Sequence, residues 1–272
     1  MQASTTPKRQ RCSLLTSGSQ IRFARSFYAA ARRAARTSVE LVYPPRCTFC
    51  DCSLDSAATV AICERCQNEL APVGQTQCRR CAAAINPMEL GDDCVRCRGE
   101  RFRFKRVLAL ARYRGPLRDA VLRMKRFRAE SLMMAMGRLL MVRFGDELRM
   151  LRSDVVVPVP MHWTRRLRRG TNSPELFGQV VACELGIAFG PRSLWRKRRT
   201  RQLAELTRQE RKRTLQGAFA AGRGCDFTGA RVLLVDDVLT TGTTCDTAAR
   251  ALLYAGAAEV NVLVLARAYP DD

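Results

Sequence analysis

Four C-x-x-C pairs, Cys47/Cys50, Cys63/Cys66, Cys78/Cys81 and Cys94/Cys97, constrain this chain more than any other feature. Twelve, eleven and twelve residues separate successive pairs, so the block is nearly periodic. A C-x-x-C turn sets two thiolates on one side of a tight knuckle, and two facing knuckles supply the four soft ligands of a tetrahedral Zn(II) site. One such pair suits a redox motif; four within 51 residues do not. Disulfides would need an oxidising compartment, and the N-terminus has no continuous apolar stretch of the kind a secretory signal requires. Sequential pairing makes two zinc ribbons in tandem. Interleaved pairing, or a single metal, is left open, so the expectation is one or two Zn(II). Cys52, two residues after Cys50, could compete as a ligand but by its C-x-C spacing reads as a bystander, and Cys12, Cys183, Cys225 and Cys245 have no partner at ligand spacing.

The rest of the chain is strongly basic, with 47 Lys and Arg against 25 Asp and Glu and a net charge of +22. Such a balance favours polyanionic partners, among them single-stranded DNA or RNA, without specifying a fold. No apolar run approaches the roughly 18 residues of a membrane span, so the expectation is a cytoplasmic protein. Residues 1–39 carry eight Lys or Arg and no acid, a composition shared by basic arms and by organelle transit peptides. Apolar residues from Ser19 to Val42 recur near helical spacing and stop at Pro44-Pro45. Three segments follow: a basic arm and helix over 1–40, the cysteine module over 41–100, and a larger domain over 101–272.

In that larger domain the pattern changes to aliphatic strands separated by helices. Strands are predicted at 106–113, 154–160, 231–235 and 260–268, and helices at 116–127, 130–144, 174–185 and 243–254. Strands without polar alternation, joined through helices, describe a parallel sheet covered on both faces. The fold class is therefore α/β behind a small metal module.

One stretch, "VLLVDDVLTTGTT" over 232–244, carries the chemistry. Ligands of open parallel sheets bind beyond the carboxyl ends of the strands, where Asp236 and Asp237 are expected to emerge. Two adjacent carboxylates there are costly unless cations or hydroxyls meet them. The following Thr240-Thr241-Gly242-Thr243-Thr244 opens a helix with backbone N–H groups and hydroxyls that suit a phosphate. A ribose diol beside a 5′-phosphate satisfies both halves.

These residues resemble the phosphoribosyl-pyrophosphate (PRPP) signature of type I phosphoribosyltransferases. Together with the cysteine block, "YPPRCTFC", "VVPVPMHWTRRLRRGTNSPEL" and "RRTRQLAELTRQERKRTLQGAF" resemble the ComF family over roughly residues 40–268. The resemblance implies a type I phosphoribosyltransferase-like parallel sheet with helices on both faces, behind a double zinc ribbon. It also implies a link to competence and DNA uptake. It assigns Asp236 and Asp237 to the ribose as the catalytic acids, and Val238 and Thr240 to Thr244 to PRPP binding. Pro158, Pro160, His162, Arg199, Thr200 and Gln202 join that binding set, and Mg(II) accompanies PRPP. Thr171, Ser173 and Thr214 replace family Phe, Gln and Asn, and Gln202 follows Thr200 one residue early.

The implied reaction displaces pyrophosphate from C1 of the ribose, with positioning and charge neutralisation supplying the rate. A sensor of PRPP or nucleotide, or a single-strand nucleic-acid binder, is the competing class. The sequence stops soon after the last strand, so any cover that selects an acceptor is expected from the cysteine module or the residues just after it.

Overall fold

The computed structural model describes residues 44–269 apart from 56, 87–92, 127, 162–170, 198–216 and 223. The N-terminal helix expected over 19–42, and His162, Arg199, Thr200 and Gln202, lie outside the described residues.

The cysteine module holds one short helix, α1 (Glu64–Leu70), and two knuckles of matching construction. Asp51 and Ala82, each directly after the second cysteine of a pair, take positive φ of 63° and 54°. Single antiparallel bridges, Arg46 with Ser53 and Gln77 with Ala84, close the two loops at equivalent places. The repeat legible in the cysteine spacing is thus a repeat of backbone geometry.

Beyond it, β1 (Val107–Arg112), α2 (Gly115–Met124), α3 (Glu130–Met150), β2 (Val155–Pro158), α4 (Ser173–Leu185) and β3 (Ala188–Phe189) follow in order. Then come β4 (Leu194–Arg196), β5 (Phe219–Ala221), β6 (Arg231–Leu239), α5 (Thr243–Tyr254) and β7 (Glu259–Arg267). Five strands form a parallel sheet in the order β1-β7-β6-β2-β3, while β4 and β5 pair antiparallel on their own.

Period-two alternation distributes the central strands between two cores. Leu233, Val235, Leu263 and Leu265 face the core filled by α2, α3 and α4. Val232, Leu234, Val262 and Val264 face the opposite one, with Ala248, Ala249 and Leu252 of α5 and Leu194 and Phe219 of the small β4–β5 pair. Both faces are covered, as the non-alternating strands require.

The helices begin where local chemistry permits. Pro116 and Pro174 occupy the first turns of α2 and α4, where a missing N–H costs nothing. In α3 the Met- and Leu-rich stripe is core: Met133, Met136, Leu139 and Leu140 are all buried. This helix continues to Met150, past the predicted end at Phe144.

A correction matters more for the site. The sequence reading ended β6 at Val235, but the strand runs to Leu239, because β7 is long enough to keep pairing through Asp236↔Val264 to Leu239↔Arg267. On its other side β2 stops at Pro158, opposite Val235. Asp236 and Asp237 are therefore part of a strand that has lost one of its two neighbours. The reading of 154–160 as one strand was too long for the same reason: pairing ends at Pro158.

Helices α3 and α4 approach closely at Gly137, where an added Cβ would lie 2.9 Å from both the Phe177 carbonyl oxygen and the Val180 Cβ. Both contacts are with backbone or branched carbon and cannot swing aside. Gly137→Ala is expected to cost about 1–3 kcal/mol by overpacking, lowering the thermal midpoint by several degrees. Denaturant melts of the two proteins check it.

Candidate functional site

The two cysteine clusters are built for a tetrahedral metal. Cys78, Cys81, Cys94 and Cys97 bring their sulfurs within 4.8 Å of one another, and all four are buried. The pairs Cys78–Cys97, Cys81–Cys94 and Cys94–Cys97 stand at 3.7, 3.6 and 3.8 Å. Four sulfurs at Zn–S distances of about 2.3 Å lie roughly 3.8 Å apart, whereas a disulfide would need about 2 Å. Zinc fits this cluster.

The first cluster gathers Cys47, Cys50, Cys52 and Cys63, with Cys50 and Cys63 sulfurs at 3.7 Å. Sequential pairing of the knuckles is what both clusters display. Cys52, expected as a bystander, stands among the candidate ligands, because the turn after Cys50 folds back so that the Cys47 N–H donates to the Cys52 carbonyl at 2.8 Å. Cys66 is buried nearby, its thiol pushed up by that burial and then by the Cys63 and Cys50 thiols. Backbone N–H donation from Cys52 leads the groups that hold the Cys50 thiol down to about 6. Cys50 and Cys52 are exposed, unlike any ligand of the second cluster.

At the sheet edge, the acid pair sits where the chain connections diverge. β2 leaves through α4 toward β3, and β6 leaves through α5 toward β7, on opposite faces. Two right-handed crossovers parting in this way open a crevice between β2 and β6, the usual ligand site of such sheets. Pro158 and Pro160 line the β2 side, and the Val159 N–H donates to the Val235 carbonyl at 2.8 Å.

The carboxylates turn back on their own strand. Asp236 Oδ1 accepts the Asp237 N–H at 2.9 Å and Asp237 Oδ1 accepts the Val238 N–H at 2.8 Å. The remaining Asp236 oxygen meets the Cys245 thiol at 3.8 Å. Burial, then the adjacent Asp237 charge, raises the Asp236 pKa well above the usual carboxylate range. Among the described residues, Lys125 Nζ lies 3.9 Å from Asp237 Oδ2, at the end of α2, and the positive charge of Arg196 partly offsets the rise at Asp236. At Asp236 burial and the neighbouring carboxylate outweigh that relief, which favours a ligand bringing hydroxyl donors or a cation.

Thr240 to Thr244 then enter α5. Gly242 takes a φ of 78°, open to glycine without strain, and lets the loop turn into the helix. Thr241 and Thr243 hydroxyls lie 2.8 Å apart, and Thr243 N–H points at Thr241 Oγ1 at 3.4 Å. The first-turn N–H groups of a helix have no intrahelical acceptor and face a bound anion readily. Asp236, Asp237, Val238, Thr240, Thr241, Gly242, Thr243 and Thr244 form one continuous rim, with Pro158 and Pro160 across the crevice.

Several residues at this rim carry no sequence signal of their own. Lys125 is one. Phe102 and Phe104 stack at 4.6 Å, and Phe102 approaches the Cβ position of Gly242 to 3.0 Å. Arg267 donates to the carbonyls of Leu239 and Thr240. Asn172 and Ser173, from the segment resembling the family's G-F-N-Q, serve the framework: Asn172 Nδ2 donates to Val159 O at 3.2 Å and Ser173 Oγ to Met124 O at 3.4 Å.

Comparison with known proteins adds independent findings. A family described as a double zinc ribbon domain matches residues 38–98, and one described as a phosphoribosyl transferase domain matches residues 196–270. The chain is 34% identical over 179 residues to DNA utilization protein YhgH of Salmonella typhimurium strain LT2, covering 64% of this chain and 77% of that protein. The protein of the same name from Escherichia coli strain K12 is 30% identical over 230 residues, 84% of this chain and 99% of its own. Competence protein F of Haemophilus influenzae strain Rd is 27% identical over 227 residues, covering 82% and 97% respectively.

Two outcomes are expected. A chelator should strip zinc in two phases, the exposed first cluster before the buried second, as read by a colorimetric zinc indicator. A carboxyl with a raised folded pKa holds its proton more tightly folded than unfolded, so its contribution to stability is present at low pH and lost as pH rises through the folded value. Asp236→Asn should therefore melt a few degrees above the unliganded wild type at pH 7, with the margin shrinking toward pH 4, as followed by circular dichroism.

Proposed function

Because this chain belongs to the ComF family, which joins a double zinc ribbon to a phosphoribosyltransferase domain, we propose that it binds PRPP in the crevice between β2 and β6. It then transfers the phosphoribosyl group with release of pyrophosphate. The observation that carries this reading is the continuous rim in which two adjacent acids, Asp236 with its carboxyl pushed up by burial, precede a threonine-lined helix N-terminus.

In this reading Asp236 and Asp237 accept hydrogen bonds from the ribose hydroxyls, and the amides and hydroxyls of Thr240 to Thr244 hold the 5′-phosphate. Val238, between them, keeps the acids in register. Pro158 and Pro160 bound the opposite wall; His162, Arg199, Thr200 and Gln202 are assigned to the pyrophosphate side from their place in the family segments. Magnesium accompanying PRPP would supply countercharge beside Asp236 and Asp237. The C1–oxygen bond to pyrophosphate breaks as the bond from C1 to the acceptor forms. The chain's own residues contribute orientation and electrostatic stabilisation and need no covalent nucleophile. The names of its relatives, DNA utilization protein YhgH and Competence protein F, support a link to DNA utilization or competence.

A second reading rests on a different surface. Trp195 is 57% exposed and, with Arg192 and Lys197, lines a cavity of about 760 Å³ beside the β4–β5 pair. An exposed indole between two cations suits a stacked base with flanking phosphates, as in single-strand binding. That reading predicts binding that weakens steeply with salt and no turnover.

Calorimetry with PRPP and Mg(II) separates the two. Binding to the wild type is expected, with a loss of tenfold or more in Asp236→Asn/Asp237→Asn, consistent with removing charge-assisted hydrogen bonds. Equal heats from both proteins would discard the crevice. Pyrophosphate release against a panel of acceptors then tests transfer.

A further inference from the structure

Arg267, the last residue of β7, stands between the second cysteine cluster and the threonine loop. Its Nε–H donates to the carbonyl of Cys81 at 2.9 Å. Its Nη1 lies in hydrogen-bond reach of the carbonyls of Leu239 at 2.9 Å, of Thr240, and of Ala268 at 2.6 Å, which share its two N–H groups. One planar guanidinium thus holds a backbone carbonyl of the zinc knuckle and two carbonyls at the entry to the loop.

The direction of those carbonyls has a consequence. In a planar trans peptide the C=O of one residue and the N–H of the next point to opposite sides. The Leu239 carbonyl also accepts the Ala268 N–H at 2.9 Å; with it and the Thr240 carbonyl facing Arg267, the N–H groups of Thr240 and Thr241 are turned away from Arg267, toward the flank that β2 leaves unpaired.

Two further contacts run between the same parts. Phe102, which packs on the second cluster's small core, lies against Gly242, and the Arg103 N–H donates to Asp246 Oδ1 at 2.6 Å in the first turn of α5. The Arg267 side is braced too. Tyr269 packs among the four cysteines, accepts the Ala84 N–H on its hydroxyl at 3.0 Å, and has Arg267, Arg112 and Arg96 over its ring at 5.0, 4.8 and 4.5 Å. A filled four-thiolate site carries a net charge of about −2, which helps hold this group of guanidiniums in place.

We propose that Arg267 is a positioning residue that aims the Thr240 and Thr241 amides at the ligand's 5′-phosphate, and that, through Cys81, their order depends on zinc in the second cluster. This rests on the phosphate-binding reading of the loop. The role is distinct from that of the acid pair, since the Arg267 guanidinium is directed at backbone carbonyls.

The test uses the full-length, zinc-loaded protein with Arg267→Gln and Arg267→Lys; a lysine keeps the charge but cannot reach both Cys81 and the loop with separate N–H groups. Hydrogen–deuterium exchange over residues 239–244 is read without ligand, and calorimetry compares ribose 5-phosphate with magnesium pyrophosphate. In variants that keep wild-type zinc content, exchange over 239–244 should quicken by about tenfold. Ribose 5-phosphate should bind about tenfold more weakly while pyrophosphate binding stays within about twofold, the scale of losing a charge-assisted hydrogen bond. Stripping zinc from the second cluster should reproduce the faster exchange in wild type and add nothing in Arg267→Gln.

Wild-type exchange in a zinc-replete variant, or equal loss of both ligands, overturns the proposal. If wild type binds neither ligand, the PRPP reading fails while the exchange measurement still decides the clamp. Should both variants fail to fold, exchange over 239–244 in wild type with and without second-cluster zinc decides it, and no difference overturns it.

Discussion

The parting of two crossovers between β2 and β6 is the constraint on which the site depends. Right-handed connections that leave neighbouring parallel strands in opposite directions must pass over opposite faces of the sheet, and a gap opens at the strand ends between them. Here β2 stops at Pro158 while β7 supports β6 as far as Leu239. The four residues beyond Val235 are held rigidly on one side and open on the other. Asp236 and Asp237 gain a fixed backbone from β7 and an unfilled flank where β2 has ended, which is how a strand can present two carboxylates in adjacent positions.

The cysteine module answers a different problem. Its second cluster has a core of four cysteines, Ala83 and Tyr269, too little apolar surface to hold a fold unaided. Metal coordination supplies what burial cannot, since a structural zinc site contributes folding energy directly. Tyr269 comes from the residues after β7, so this small core is completed by the larger domain. The segment after the module, Phe102 to Lys105, lies along that domain in turn, with the Lys105 N–H donating to Val260 O at 2.8 Å.

Legibility followed the range of the physical signal. Cysteine spacing and strand–helix alternation are local patterns, and the parallel sheet with helices on both faces and the paired knuckles came through because period and spacing report them without knowledge of neighbours. Helix α5 begins and ends where the Thr-Gly-Thr entry and the apolar spacing predict. The end of β6 did not come through: Asp-Asp reads as a strand terminus by propensity, and pairing with β7 overrides it. The approach of Cys52 to the first cluster depends on the backbone folding back after Cys50, which spacing alone does not report.

Residue types and their intervals alone determined that this chain builds two sulfur clusters ahead of an α/β sheet, and that an acid pair runs into a phosphate-suited loop. Periodicity and ligand spacing are encoded along the chain, so they need no folding to be read. Only the tertiary structure decided that Lys125 would face Asp237, that Phe102 would lie on Gly242, and that Arg267 would join Cys81 to the loop across a separation of 186 residues. Those contacts follow from sheet order and domain packing, which set distances that no pattern of neighbouring residues contains.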